Sequence, residues 1–207
     1  LVRGINATRQ VRIVTIEQPV EYLFAADQAL VEQREVGRDV PSVPAGLAQA
    51  QRGDANVVFV SPVTTAADWQ AILETVEAGK LVIAVTAGES SAGTLEHINA
   101  SFETAQQAWA RNLLSESLAA VISLRLVPRV GGGQVMVFEV ITLTSAVQSA
   151  LREGRFWQLP GIIQTSRQEG MQSLEFALAQ LVRAGVVKQA DAMAQVSDQR
   201  ALLAQLR

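Results

Sequence analysis

Apolar positions along the chain follow two rhythms. Val11 to Ile16 is a β-branched run with almost no alternation, the pattern of a strand buried on both faces. Val57-Val58-Phe59-Val60 and Leu81-Val82-Ile83-Ala84-Val85 repeat it. Between them the spacing turns helical, over Pro44 to Arg52 and over Ala66 to Ala78, where Gly79 supplies a stop. Leu1 to Arg9 reads as the tail of a helix entered midway. Strand, helix, strand, helix, strand predicts a parallel α/β core with the sheet covered on both sides.

The second half changes character. The spacing predicts a long helix from about Ala105 to Ile122, with Thr104 and Gln107 placed as a capping box. Two strands, Ser123 to Val130 and Gln134 to Thr142, then flank Gly131-Gly132-Gly133, and the glycines provide the positive φ that a hairpin turn requires. From Thr144 onward the chain reads as short amphipathic helices broken at Gly154, Gly161, Gly170 and Gly185. The expected division is an α/β core over 1–143 and a small helical C-terminal part over 144–207.

Composition narrows the class. Of 207 residues, 49% are hydrophobic and 18% charged, enough apolar mass for a sizeable core and too little polarity for disorder. No apolar stretch approaches the roughly 18–20 residues of a membrane-spanning helix, so no membrane insertion is expected. Leu1 to Gln10 lacks the apolar region of a signal peptide. The absence of cysteine excludes a disulfide scaffold and a thiolate zinc site. A net charge of −3, no basic cluster and 5% aromatics argue against a nucleic-acid surface. The default is a cytoplasmic protein.

Candidate chemistry concentrates at strand ends. Thr15-Ile16-Glu17-Gln18-Pro19-Val20-Glu21 closes the first strand, and Gln33-Arg34-Glu35-Val36-Gly37-Arg38-Asp39 follows shortly. From the residues alone, Glu17 reads as a cap or ion-pair partner at the top of the sheet. Glu17 and Glu21 as paired catalytic carboxylates is a further reading, weakened by the proline between them. Arg34 and Arg38 suit phosphate or carboxylate alike. His97, the single histidine, falls within a predicted helix and carries no assigned role.

Together these segments resemble the Asp-box region of the hexameric ATPases that drive type IV pili, twitching motility and type II secretion, with the nearest pattern in the pilus-retraction family, PilT. Leu114-Ser115-Glu116-Ser117-Leu118, the three glycines with Glu139, Ala146 to Arg155, Ile162 to Thr165 and Gly170 to Leu174 follow the family in order and spacing. The resemblance runs from about Val11 to Gly185. It implies a RecA-like P-loop NTPase core, a mostly parallel sheet flanked by helices, with a β-hairpin and a small helical C-terminal part. It also implies ATP and Mg2+ as cofactors, a homo- or hetero-hexameric ring, and inner-membrane platform proteins of a pilus or secretion machine as partners.

Residue by residue, the resemblance makes Glu17 the carboxylate that orients the attacking water, and Arg34 and Arg38 ligands of nucleotide phosphates. Ala146, Leu151, Arg152, Glu153 and Gly154 fall in the stretch associated with retraction. Other chemical positions depart from the pattern. Gln18 replaces an aspartate; Ser61-Pro62-Val63-Thr64-Thr65 replaces Gly-Glu-Met-Arg-Asp, so Pro62 and Thr64 stand where a carboxylate and a cation belong; Gly88 stands for a histidine. No GxxxxGK(S/T) phosphate loop occurs in the chain, which then either begins just after that loop or never had it. Loss of groups that position magnesium or water costs orders of magnitude in phosphoryl transfer, so hydrolysis is expected to be weak or absent.

Overall fold

The computed structural model describes residues 1–206, which form two compact units: Leu1–Ala87 with Ile98–Ser117, and Gly88–His97 with Leu118 onward. In chain order the first half holds α1 (Val2–Thr8), β1 (Arg12–Glu17), β2 (Leu30–Glu35), α2 (Val43–Arg52), β3 (Val57–Ser61), α3 (Ala66–Glu77), β4 (Leu81–Ala84), α4 (Ser91–Ser101) and α5 (Thr104–Ser117). The four strands are all parallel, in the order β2-β1-β3-β4.

The first unit shows why β1 and β3 read as unbroken apolar runs. Val14, Ile16, Val58 and Val60 pack with Leu47 and Ala50 of α2, Trp69, Ile72 and Leu73 of α3, and Ala110 and Leu114 of α5. Ile13 and Val57 point to the opposite face and pack with Val2 of α1 and Ala29. A parallel sheet covered on both faces makes its central strands mostly apolar, with Thr15, Glu17 and Ser61 the polar positions towards their carboxyl ends. Packing is close where α2 crosses β1: a Cβ on Gly46 would approach Ile16 Cδ1 to 3.0 Å, so a larger residue there would require the Ile16 side chain to shift.

β2 lies at the sheet edge and was not visible as a strand in the sequence. Its residues Leu30-Val31-Glu32-Gln33-Arg34-Glu35 are mostly polar because an edge strand is only half-buried. The predicted capping box at Thr104 and Gln107 does not form. Thr104 is already within α5, and the Gln107 amide donates instead to the Phe102 carbonyl. A complete capping box occurs at α3, where the Thr65 side chain accepts from the Asp68 N–H and the Asp68 side chain accepts from the Thr65 N–H. The long helix stops at Ser117 rather than Ile122, because Ala120 already pairs with Thr142 in the hairpin.

The second unit is built on that hairpin, β5 (Ala120–Pro128) and β6 (Gln134–Thr142), with Gly131, Gly132 and Gly133 at φ of 89°, 106° and 74° in the turn. The helices α6 (Ser145–Arg152), α7 (Leu159–Thr165), α8 (Leu174–Arg183), α9 (Gln189–Met193) and α10 (Gln199–Leu206) follow. Ile141 packs with Leu151, Phe156, Leu159 and Ile163; Val127 and Val137 pack with Leu178, Ala192 and Leu202. Gly154, Gly170 and Gly185 all sit at positive φ at helix ends, as expected. Gly161 does not break a helix; it lies inside α7.

Candidate functional site

In the first unit, the carboxyl ends of β1 and β3 lie side by side, with Glu17 in register with Ser61. Open α/β sheets present ligand sites at that end. The Gln18 N–H donates to the Ser61 carbonyl at 2.9 Å, bringing Glu17, Gln18 and Pro62 to one edge of the sheet. Gln18 and Pro62 are exposed; the Glu17 side chain is buried. One oxygen of Glu17 accepts from the Thr15 hydroxyl at 2.5 Å and from the Gln33 amide at 3.1 Å. Both donors are neutral, so the carboxylate is held in place without a cation beside it.

Arg34 does not join Glu17. The register pairs Ile16 with Arg34 and Thr15 with Gln33, so Thr15, Glu17 and Gln33 occupy one face and Arg34 the other. There Arg34 bonds Glu32 at 2.6 Å and donates to the side-chain Oε1 of Gln49 on α2 at 3.3 Å. Glu32 also takes a bond from Arg12 at 2.9 Å, and the hydrogen bonds from Arg12 and Arg34 hold its carboxyl below the usual carboxylate range. Arg38 is 77% exposed and lies 3.8 Å from Asp39. Arg34 and Arg38 do share a depression of about 770 Å3 at the free edge of β2, with Val20, Leu23, Glu35 and Asp39 on its walls. Its charged lining is mixed, and the Arg34 fork is already engaged.

Beyond β3 the chain enters α3 through Pro62 and Thr64. The nearest carboxylate downstream is Asp68, buried, with Oδ2 accepting from the N–H of Thr64 at 3.3 Å and of Thr65 at 3.0 Å. Sequence reasoning passed over Asp68. The signal was present as Thr65-Ala66-Ala67-Asp68, a threonine with an acid three residues later.

The remaining predicted positions belong to the second unit. A Cβ placed on Gly88 would lie 2.0 Å from the Thr94 hydroxyl oxygen, so no larger side chain fits there while Thr94 donates to the Ser90 carbonyl. Glu139 caps α4: its carboxylate accepts the Ser91 N–H at 2.9 Å, where a negative charge suits the helix N-terminus. His97 is exposed on α4. In the α6 segment, Ala146 is exposed and Leu151 fully buried. Glu153 pairs with Arg155 at 2.7 Å, and the Ser149 hydroxyl donates to it at 2.7 Å; that hydrogen bond, with Arg155, lowers the Glu153 carboxyl from its ordinary range. Gly154, at φ 70°, ends the turn, and Arg152 lies in the last turn of the helix.

No family model matches the chain. Individual proteins do. The type IV pilus retraction ATPase PilT of Pseudomonas aeruginosa is 34% identical over 188 residues, which are 91% of this chain and 55% of that protein. A twitching motility protein of Neisseria gonorrhoeae is 31% identical over 188 residues, 90% of this chain and 50% of its own. The solved structure of the pilus retraction motor PilT with bound ADP superimposes with a TM-score of 0.90 at 32% identity, covering 98% of this chain and 57% of that one. The chain belongs to the PilT-like ATPase family. It spans about half the length of the relatives it matches. The Legionella pneumophila ATPase DotB, at 20% identity and a TM-score of 0.83, shares the fold.

PilT-like membership implies ATP and Mg2+, and the donors present can be tested for the ion. Among the described residues, no group of three or more His, Asp or Glu side chains is placed to hold a metal. At the end of β3 the Pro62 side chain offers no donor atom, and the nearest carboxylate, Asp68, has Oδ2 already accepting two N–H groups. This strand end presents no side-chain carboxylate free of other hydrogen bonds for magnesium. Among the described residues no helix is long and apolar enough to cross a membrane.

Proposed function

We propose that this chain forms the motor-domain part of a PilT-like pilus or secretion ATPase in which hydrolysis is impaired, working as a structural or regulatory subunit. What supports the reading is the end of β3: the motif resemblance puts Pro62 where the family has a carboxylate, and the nearby Asp68 caps α3. Phosphoryl transfer relies on positioned charge, and a strand end without a free carboxylate supplies none. Gly88, closed to a side chain by Thr94, points the same way. In this reading the protein assembles into a homo- or hetero-hexameric ring on the cytoplasmic side of an inner-membrane platform. It influences an active motor through subunit contacts. The α6 segment from Ala146 to Gly154 is the proposed surface for the machine.

Calorimetry on the full-length protein tests this. ATP and a non-hydrolysable analogue should bind equally, or neither should bind, with no heat of turnover; a sustained heat of hydrolysis with ATP alone overturns it. A second reading rests on Glu17. That carboxylate is retained, buried and fixed by Thr15 and Gln33, as a water-orienting group requires. The protein would then be an active hexameric retraction ATPase whose phosphate loop lies outside residues 1–207. Glu17→Gln separates the two, since it abolishes turnover in the second and changes none in the first.

A further inference from the structure

The segment 20–27 between β1 and β2 is mostly exposed; Phe24 packs against the Val2, Ile13, Ala29 and Val57 cluster, and side-chain hydrogen bonds tie the rest. Gln33 makes three bonds from one side-chain amide: its Nε2 donates to Glu17 Oε1 at 3.1 Å and to the Tyr22 carbonyl at 2.8 Å, and its Oε1 accepts the Phe24 N–H at 2.8 Å. No other orientation of the amide works. A carbonyl and a carboxylate oxygen are acceptors, and the backbone N–H is a donor, so the nitrogen must face the first two. Asn6 of α1 is the second tie, donating to the Ala25 carbonyl at 2.8 Å and accepting the Asp27 N–H at 3.3 Å. Beyond these, the Arg3 guanidinium lies 4.8 Å over the Tyr22 ring and bonds its hydroxyl, and Glu35 accepts the Val20 N–H at 3.2 Å.

We propose that segment 20–27 is a strap whose seat is sensed at Glu17 through Gln33. The two Nε2 protons share one nitrogen, so they cannot be aimed independently. Drawing the Glu17 carboxylate away rotates the amide and weakens its hold on Tyr22 and Phe24. Lifting the strap frees the amide and leaves Glu17 with Thr15 alone. Gln33 is therefore a positioning residue for Glu17 and the coupling point between a buried carboxylate and an exposed loop. The device requires no hydrolysis, and its failure leaves the proposed function standing.

Tyr22 is the only tyrosine in the chain, so fluorotyrosine incorporated into the full chain places a single 19F probe on the strap. Asn6→Ala, which removes the ties to Ala25 and Asp27, supplies the resonance of a loosened strap. Glu17→Ala should move the Tyr22 resonance towards that position and speed amide exchange across 20–27 about tenfold, the scale of losing one hydrogen bond to a charged group. Glu17→Gln, which keeps an acceptor oxygen and disturbs folding least, should fall between. In a Gln33→Leu background the Glu17 substitutions should have no further effect on Tyr22. An unmoved resonance in both Glu17 variants, or an equal Glu17 effect with and without Gln33, overturns the proposal.

Discussion

Asp68 offers the sharpest test of whether the β3 end has exchanged chemistry for capping. Its side chain accepts from the N–H groups of Thr64 and Thr65 while the Thr65 hydroxyl accepts from the Asp68 N–H. Removing a capping residue costs about 1 kcal/mol, and the negative charge at the first turn of α3 adds about 0.5 kcal/mol. Asp68→Ala should therefore destabilise by about 1–2 kcal/mol. For a domain of this size that is a fall in Tm of roughly 3–6 °C, read by calorimetry or circular dichroism. Asp68→Asn keeps an acceptor oxygen for both N–H groups and loses only the charge, so it should cost about half as much. Neither change should alter binding of magnesium or nucleotide. If Asp68→Asn melts like the parent without magnesium but loses a magnesium-dependent gain in Tm, the carboxylate is a cation ligand and the capping argument fails.

Other outcomes follow from the same contacts. Leu151→Ala empties a fully buried position among Ile141, Phe156 and Leu159, and should cost about 2–5 kcal/mol by denaturant titration, whereas Ala146→Ser on the exposed side of α6 should change stability by under about 0.5 kcal/mol. The Glu32 carboxyl is lowered in the folded state, so its contribution is present above the ordinary value of 4.5 and is lost as pH falls below it. Glu32→Gln should accordingly lower stability at pH 7 by on the order of 0.5 kcal/mol, a value already reduced for solvent screening. The gap between parent and variant should close in acid titrations below pH 4 and shrink in high salt. Gly88→His must displace Thr94 and should lower Tm with no gain of ATP turnover.

Much of the fold was legible because buried parallel strands write unbroken β-branched runs, as in Val57 to Val60, and because glycines mark the hairpin turn. β2 was not legible: an edge strand carrying Glu32, Gln33, Arg34 and Glu35 looks like a loop until its neighbour is known. The family could be read from motif order, and the comparisons bear it out. The site was legible only in part. Glu17 and Arg34 look like one cluster in the sequence, yet the two-residue period of paired strands sends them to opposite faces. Gln33 stands in the motif without a role, since an amide becomes informative only when its three partners are seen together.

In the proposed reading the motor framework persists while the β3 end lacks the charged group. The most direct measurement is magnesium-dependent ATP turnover by the full-length protein, alone and with glutamate restored by Pro62→Glu. The parent should show no turnover above the uncatalysed background, with any activity appearing only in the restored variant. Turnover by the parent at about 1 s−1 or faster, unchanged by Pro62→Glu, would contradict it.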